Sequence, residues 1–178
     1  VRFDSTSGGI FSALADVVFA AGGFVGGAIW NDDFSISQVV TDKAEELPKL
    51  RSSKYAQSDA QGFYRAVKNA VKTGRQVLVC GTPCQMVALR TYLGKQYSNL
   101  LIVDFICRGI NSPKILSEYL KMHERLKGAK IVAIKQKNKE LGWRRLTTKL
   151  TFETGDIVYD PREMRQSRML ISQQVNSM

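Results

Sequence analysis

Three cysteines and two short loops carry most of the chemistry-bearing residues of this chain. Cys84 lies in Gly81-Thr82-Pro83-Cys84-Gln85, directly after the apolar run Val77-Leu78-Val79-Cys80. Cys107 lies in Cys107-Arg108-Gly109, directly after Leu100 to Ile106. Each reads as a strand that ends in a turn and hands a cysteine to a following helix. A helix N-terminus has unpaired N–H groups and partial positive charge, so it suits an anion or a thiolate. Two strand ends that each deliver a cysteine suggest one shared site.

Cys80, Cys84 and Cys107 could serve as three soft ligands for an iron–sulfur cluster. A zinc site would want a fourth ligand, and His123 is the only histidine. His123 falls on the polar side of a helical pattern and reads as a surface residue. Cys80, inside an apolar strand, reads as a small buried hydrophobe. That leaves Cys84 and Cys107 as the better metal-site candidates, an incomplete set. With one histidine no Ser- or Cys-centred triad can be assembled. Asp104 reads as a structural acceptor on its strand, hydrolysis fits poorly, and no catalytic residue is assigned.

Ser5-Thr6-Ser7-Gly8-Gly9 precedes a helical pattern with small hydroxyls and flexible backbone. The combination suits a phosphate or a flavin diphosphate, although a plain helix cap would look the same. It is neither a Walker loop nor Gly-x-Gly-x-x-Gly. A second loop, Ser53-Lys54-Tyr55-Ala56-Gln57-Ser58, gathers a cation, an aromatic ring and an amide. Lys54 could hold a phosphate or a developing negative charge, and Tyr55 could stack; a surface connection is the alternative.

The elements that would position these residues alternate between helix and strand. Apolar positions 10, 11, 14, 17 and 18 recur at helical spacing and Gly22-Gly23 ends them. Phe24 to Trp30 and Ser35 to Thr41 form a hairpin around Asn31-Asp32-Asp33. A short helix spans 43–50, and an amphipathic one spans 62–72. Strand 76–80 leads to a helix from about Gln85 to Leu93, and strand 100–106 to a helix from Pro113 to about Lys127. A strand at 130–135 and a hairpin at 147–159 around Glu153-Thr154-Gly155-Asp156 complete the pattern. The expected fold is α/β, a mixed and mostly parallel sheet covered by helices, with hairpins near 24–41 and 147–159. One domain is expected over 1–160. The segment 161–178, poor in apolar positions, is expected to be mobile or truncated.

With 178 residues, 44% hydrophobic and 24% charged, the chain has the composition of an ordinary globular domain able to bury a core. Glycines and Asp16 interrupt the longest weakly polar stretch, so no membrane span is expected. The odd number of cysteines and the lack of a signal peptide favour a reducing, cytoplasmic setting. Val1 and the motif that follows it read as the middle of a longer protein. Net charge is +10; residues 1–113 hold 12 Lys and Arg against 9 Asp and Glu, and 114–178 hold 14 against 7. A basic second half suits acidic protein partners or phosphorylated cofactors, or is simply a solvated surface. Aromatic residues are not interleaved with the basic ones, so no nucleic acid is expected.

Taken together, these blocks resemble the beta subunit of coenzyme F420-reducing hydrogenase and its dehydrogenase relatives. The resemblance rests on Ser5 to Phe11, Ser53 to Ser58, Gly81 to Gln85, Asp104 to Gly109, Ser112-Pro113 and Gly142-Trp143, in the family's order. It implies an oxidoreductase module that relays electrons between an iron–sulfur cluster or ferredoxin and a flavin or deazaflavin acceptor. It implies FAD held by Ser5, Thr6, Ser7, Gly8 and Gly9, by Lys54, Tyr55, Gln57 and Ser58, and by Gly81, Thr82 and Pro83. It further implies that Cys84 and Cys107 bind or neighbour a 4Fe–4S cluster in the full-length protein, with a ferredoxin-like partner. Arg108 stands where the family commonly has His, and three cysteines do not complete a cluster. The alternative implied is a non-catalytic binding or assembly module of a larger redox complex.

Overall fold

The computed structural model describes Ser5 and residues 8–161. Thr6, Ser7 and nearly all of the 161–178 segment lie outside the described residues. Two compact units form: residues 1–54 with 58–109, and residues 55–57 with 110–178.

The first unit holds a four-stranded sheet. It comprises β1 (Phe24–Trp30), β2 (Ile36–Thr41), β3 (Val77–Gly81) and β4 (Leu100–Asp104) in the order β2-β1-β3-β4. β1, β3 and β4 run parallel, and β2 closes the edge as an antiparallel hairpin partner. The mixed, mostly parallel α/β sheet is therefore as expected. Its central strands are almost wholly apolar, as parallel strands buried on both faces must be.

Helices α1 (Ile10–Ala20) and α2 (Leu47–Leu50) lie on one face. There Ala15, Val25, Leu47, Leu50 and Leu78 form a buried cluster. Helices α3 (Phe63–Lys72) and α4 (Pro83–Leu93) cover the other, where Phe63, Val67, Val77, Val79, Met86 and Leu89 pack. Gly26 permits the close approach of α3, since a Cβ there would sit 3.2 Å from Cε2 of Phe63.

The chain direction fixes which helix ends meet. α1 passes into β1 through a three-residue turn, and α3 passes into β3 through a four-residue one, so both run antiparallel to their strands. Their N-termini therefore reach the carboxyl edge of the sheet. α4 begins at that same edge, because it follows β3 directly. Its helical turn opens at Pro83, two residues before the sequence-based boundary, because Thr82 is an extended N-cap and proline's fixed φ suits the first helical position.

The second unit contains α5 (Pro113–Lys127) and an antiparallel sheet of β5 (Ile131–Asn138), β6 (Thr147–Phe152) and β7 (Ile157–Asp160) in the order β5-β6-β7. The 147–159 hairpin thus belongs to a sheet of its own. β5 runs three residues beyond its expected end. A bulge between Lys135 and Asn138, with Lys137 at φ 49°, carries it past the apolar stretch. His123, expected on the surface, is instead largely buried, edge-on to Tyr119 at 4.5 Å and 3.6 Å from Asp160. Ala129, Ile131, Leu150 and Phe152 complete this unit's buried apolar set with Leu116, Tyr119 and Leu120. Among the described residues, no helix is long and apolar enough to cross a membrane.

Candidate functional site at the carboxyl edge of the parallel sheet

In open α/β sheets, ligands sit outside the carboxyl ends of the parallel strands, where helix N-termini and loops converge. The loops around residues 8–12, 51–54, 58–62, 81–85 and 105–109 all emerge at that edge of the first unit. Side-chain bonds join four of them in two pairs. Arg51 donates from Nε to Ser12 Oγ at 3.1 Å, joining the end of α2 to the first turn of α1. Gln85 donates from Nε2 to Ser58 Oγ at 2.9 Å, and Tyr64 donates to the Gln85 carbonyl at 3.3 Å.

Cys84 and Cys107 come from neighbouring parallel strands with the same offset. Gly81 pairs with Asp104, and each cysteine follows its strand end by three residues. Both thiols are free and exposed. Cys84 lies 3.2 Å from Thr82 Oγ1, and Cys107 faces the Gly109 carbonyl at 3.6 Å. Cys80 differs: burial first, then the Asp104 carboxylate, push its thiol up to about 11. A thiol so reluctant to ionise behaves as the apolar filler expected of it. Asp104 departs from its expected role, being exposed with no hydrogen bond to its carboxylate among the described residues.

Thr82 and Gln85 form a capping box at α4. Gln85 Oε1 accepts from the Thr82 N–H at 3.2 Å and from its hydroxyl at 2.9 Å. Gly81 is packed against the same group: a Cβ there would lie 2.6 Å from Met86 Cε and 3.3 Å from Gln85 Oε1. Burial first, then Cys84, push the Tyr64 phenol up.

α1 begins differently. Its N-cap is Gly9 at φ 92°, with no side-chain cap. A Cβ at Gly8 would meet nothing within 4 Å. Ser5 is buried nearby in sequence.

Lys54 makes three hydrogen bonds, all to backbone carbonyls: Lys49 O at 2.9 Å, Arg51 O at 2.9 Å and Ser52 O at 3.2 Å. Its three N–H donors are thereby committed to shaping the loop. Burial pushes the ammonium down to about 8. Tyr55 and Gln57 belong to the second unit. There the Tyr55 N–H donates to Gln136 Oε1 at 2.6 Å and the Gln57 N–H to the Asn111 carbonyl at 2.9 Å, while Lys137 sits 4.6 Å over the Tyr55 ring. The structure thus gathers Gly8, Gly9, Lys54, Ser58, Gly81, Thr82, Pro83, Cys84 and Cys107 at one edge. Arg51 and Ser12 join them without a clear sequence signal beyond an arginine three residues before Lys54.

The donor set fits an anionic dinucleotide. An uncapped helix end, open backbone at Gly8 and the Arg51 guanidinium offer N–H donors toward a diphosphate. It does not fit a complete iron–sulfur cluster. Among the described residues, no three His, Cys, Asp or Glu side chains are grouped to hold a metal ion.

A family model for the C terminus of the coenzyme F420 hydrogenase/dehydrogenase beta subunit matches residues 74–169. Among solved structures, a chain of the xenon-derivatised F420-reducing [NiFe] hydrogenase complex from Methanosarcina barkeri superposes with a TM-score of 0.57 at 20% identity. The match covers 89% of this chain and 55% of that one, so this chain spans about half the length of that relative. At that identity, the likeness speaks for the fold. No curated protein matches the chain.

Proposed function

The chain belongs to the coenzyme F420 hydrogenase/dehydrogenase beta subunit family, and from that premise we propose that it is a flavin-binding redox module. It relays electrons between an iron–sulfur donor, such as a ferredoxin-like partner, and a flavin or deazaflavin acceptor within a cytoplasmic redox complex. One observation carries this reading: uncapped α1, capped α4 and two cysteine-bearing strand ends all open on one sheet edge.

FAD, when bound, supplies the hydride and single-electron chemistry. This chain's residues bind and orient it. The α1 end with Ser5, Thr6, Ser7, Gly8 and Gly9 takes the diphosphate. Gly81, Thr82 and Pro83 form the facing wall, with Ser58 bonded behind it through Gln85. Lys54 sets the shape of the 49–52 backbone. Cys84 and Cys107 stand at the mouth as neighbours of the electron donor, and no step is routed through a cluster they do not complete. The family resemblance supports the flavin, and the incomplete ligand set favours a second reading, a module that binds flavin without turnover.

The test is a visible spectrum of the protein after anaerobic reconstitution with FAD and desalting. The flavin bands are expected to remain with the protein, and reduced ferredoxin to bleach them. A colourless protein removes the flavin reading. Retained flavin that no donor bleaches selects the non-catalytic module.

A further inference from the structure

We propose that Arg51 is a preorganised phosphate-binding residue, held in place by Ser12 and Lys54 so that both of its Nη groups face an incoming anion. The proposal rests on the flavin reading above and adds the residue that would recognise the ligand's phosphates.

Arg51 is fixed at three points. Its own N–H donates to the Leu47 carbonyl at 3.2 Å, closing the last turn of α2. Its carbonyl accepts from the Lys54 ammonium at 2.9 Å. Its side chain donates through Nε to Ser12 Oγ at 3.1 Å, and Ser12 is only 1% exposed. The bond therefore ends on a rigid, buried anchor in the first turn of α1.

That geometry leaves the two Nη groups without a hydrogen-bond or ion-pair partner among the described residues. Among the described residues no carboxylate competes for them: no acidic residue lies in the first turn of α1, and none forms an ion pair with Arg51. An arginine ordinarily gives up side-chain freedom when a ligand fixes it. Here the protein has already fixed the chain, and a planar fork with free Nη groups is shaped for two phosphate oxygens. Lys54 cannot take this role without releasing one of its three carbonyls. The lysine that the sequence pattern offers to a phosphate instead sets the backbone from which the phosphate-binding cation projects.

The test uses equilibrium titrations of the full chain with FAD, riboflavin and inorganic pyrophosphate, in wild type, Arg51→Met and Ser12→Ala. Arg51→Met is expected to weaken FAD and pyrophosphate by about ten- to a hundred-fold and to leave riboflavin, which has no phosphate, unchanged. Ser12→Ala keeps the guanidinium but frees it, and is expected to show the same selectivity with a loss of about three- to ten-fold. Equal losses for FAD and riboflavin, or unchanged pyrophosphate binding in either variant, overturn the proposal. If wild type binds neither flavin, the flavin reading fails by itself. Pyrophosphate then decides on Arg51: binding that Arg51→Met abolishes upholds it, and no binding refutes it. Should Arg51→Met fail to fold by circular dichroism, the Ser12→Ala titration decides.

Discussion

Of the three helix N-termini at the carboxyl edge of the sheet, those of α1 and α4 are finished in opposite ways. α3 starts like α1, from a left-handed glycine with no side-chain cap. α4 is closed by its own residues: Thr82 and Gln85 cap it, Gln85 reaches on to Ser58, and Gly81 packs tightly beneath. α1 starts from a left-handed glycine with no side-chain cap, and a cation, Arg51, is bonded to its first turn through Ser12. A capped end holds a side chain, here Cys84, in a fixed place. An uncapped end keeps its N–H donors for something that arrives from outside. Under the proposed flavin reading, the contrast divides the site into a wall and an anion seat.

The sharpest way to break that division is through Lys54, which orders the backbone of the anion seat. Its folded amine releases its proton near pH 8, whereas the unfolded one keeps it to 10.5. Between those values the unfolded chain binds more protons, so wild-type stability rises with pH across the window and falls as pH drops back toward 8. Urea melts of wild type against Lys54→Met should show a relative gain of at most roughly 3 kcal/mol over that range. A difference that stays flat would mean that burial does not destabilise the ammonium there, its three carbonyl acceptors making up for the lost water.

At the wall, Gln85→Leu removes the acceptor of two Thr82 bonds and the donor to Ser58. The expected cost is about 1–2 kcal/mol in urea denaturation. Affinity for pyrophosphate should not change, since α1 is untouched. A phosphate effect as large as that of Arg51→Met would erase the distinction between the two helix ends.

A paired glycine measurement gives the smallest effect. Gly9→Ala places a Cβ on a residue at φ 92° and should cost about 1 kcal/mol. Gly8→Ala meets open space and should leave stability within about 0.5 kcal/mol. Equal costs at both positions would argue that the α1 entrance is packed and closed.

Most of the scaffold can be read from residue pattern. β3 is an apolar run and β4 is one up to Asp104, α3 shows a clean amphipathic period, and the glycines after α4 and α5 mark their ends. The start of α4 is harder to place, because Pro83 looks like a helix breaker until Thr82 is seen as the cap. The end of β5 escapes the pattern because its last residues include Gln136 and Asn138, polar and yet buried at 3% and 1% exposure. A hydrophobic period cannot register such positions. The burial of His123 is hidden for a related reason, since its neighbours Tyr119 and Asp160 are 4 and 37 positions away in the sequence.

The candidate site is legible in its cysteines and small-residue loops, whose offsets from strand ends are local. The partnership of Arg51 with Ser12 is not, because it joins residues 39 positions apart. Lys54 shows the converse limit. A lysine in a polar loop reads as a free cation, and only three-dimensional placement shows its donors used by the backbone.

The central claim, an anion seat at α1 facing a capped wall at α4, is tested most directly by an amide chemical-shift titration of the full chain with FAD. The account predicts large shifts at Gly8 to Ser12, Arg51 and Gly81 to Cys84. No shifts at the α1 entrance would contradict it.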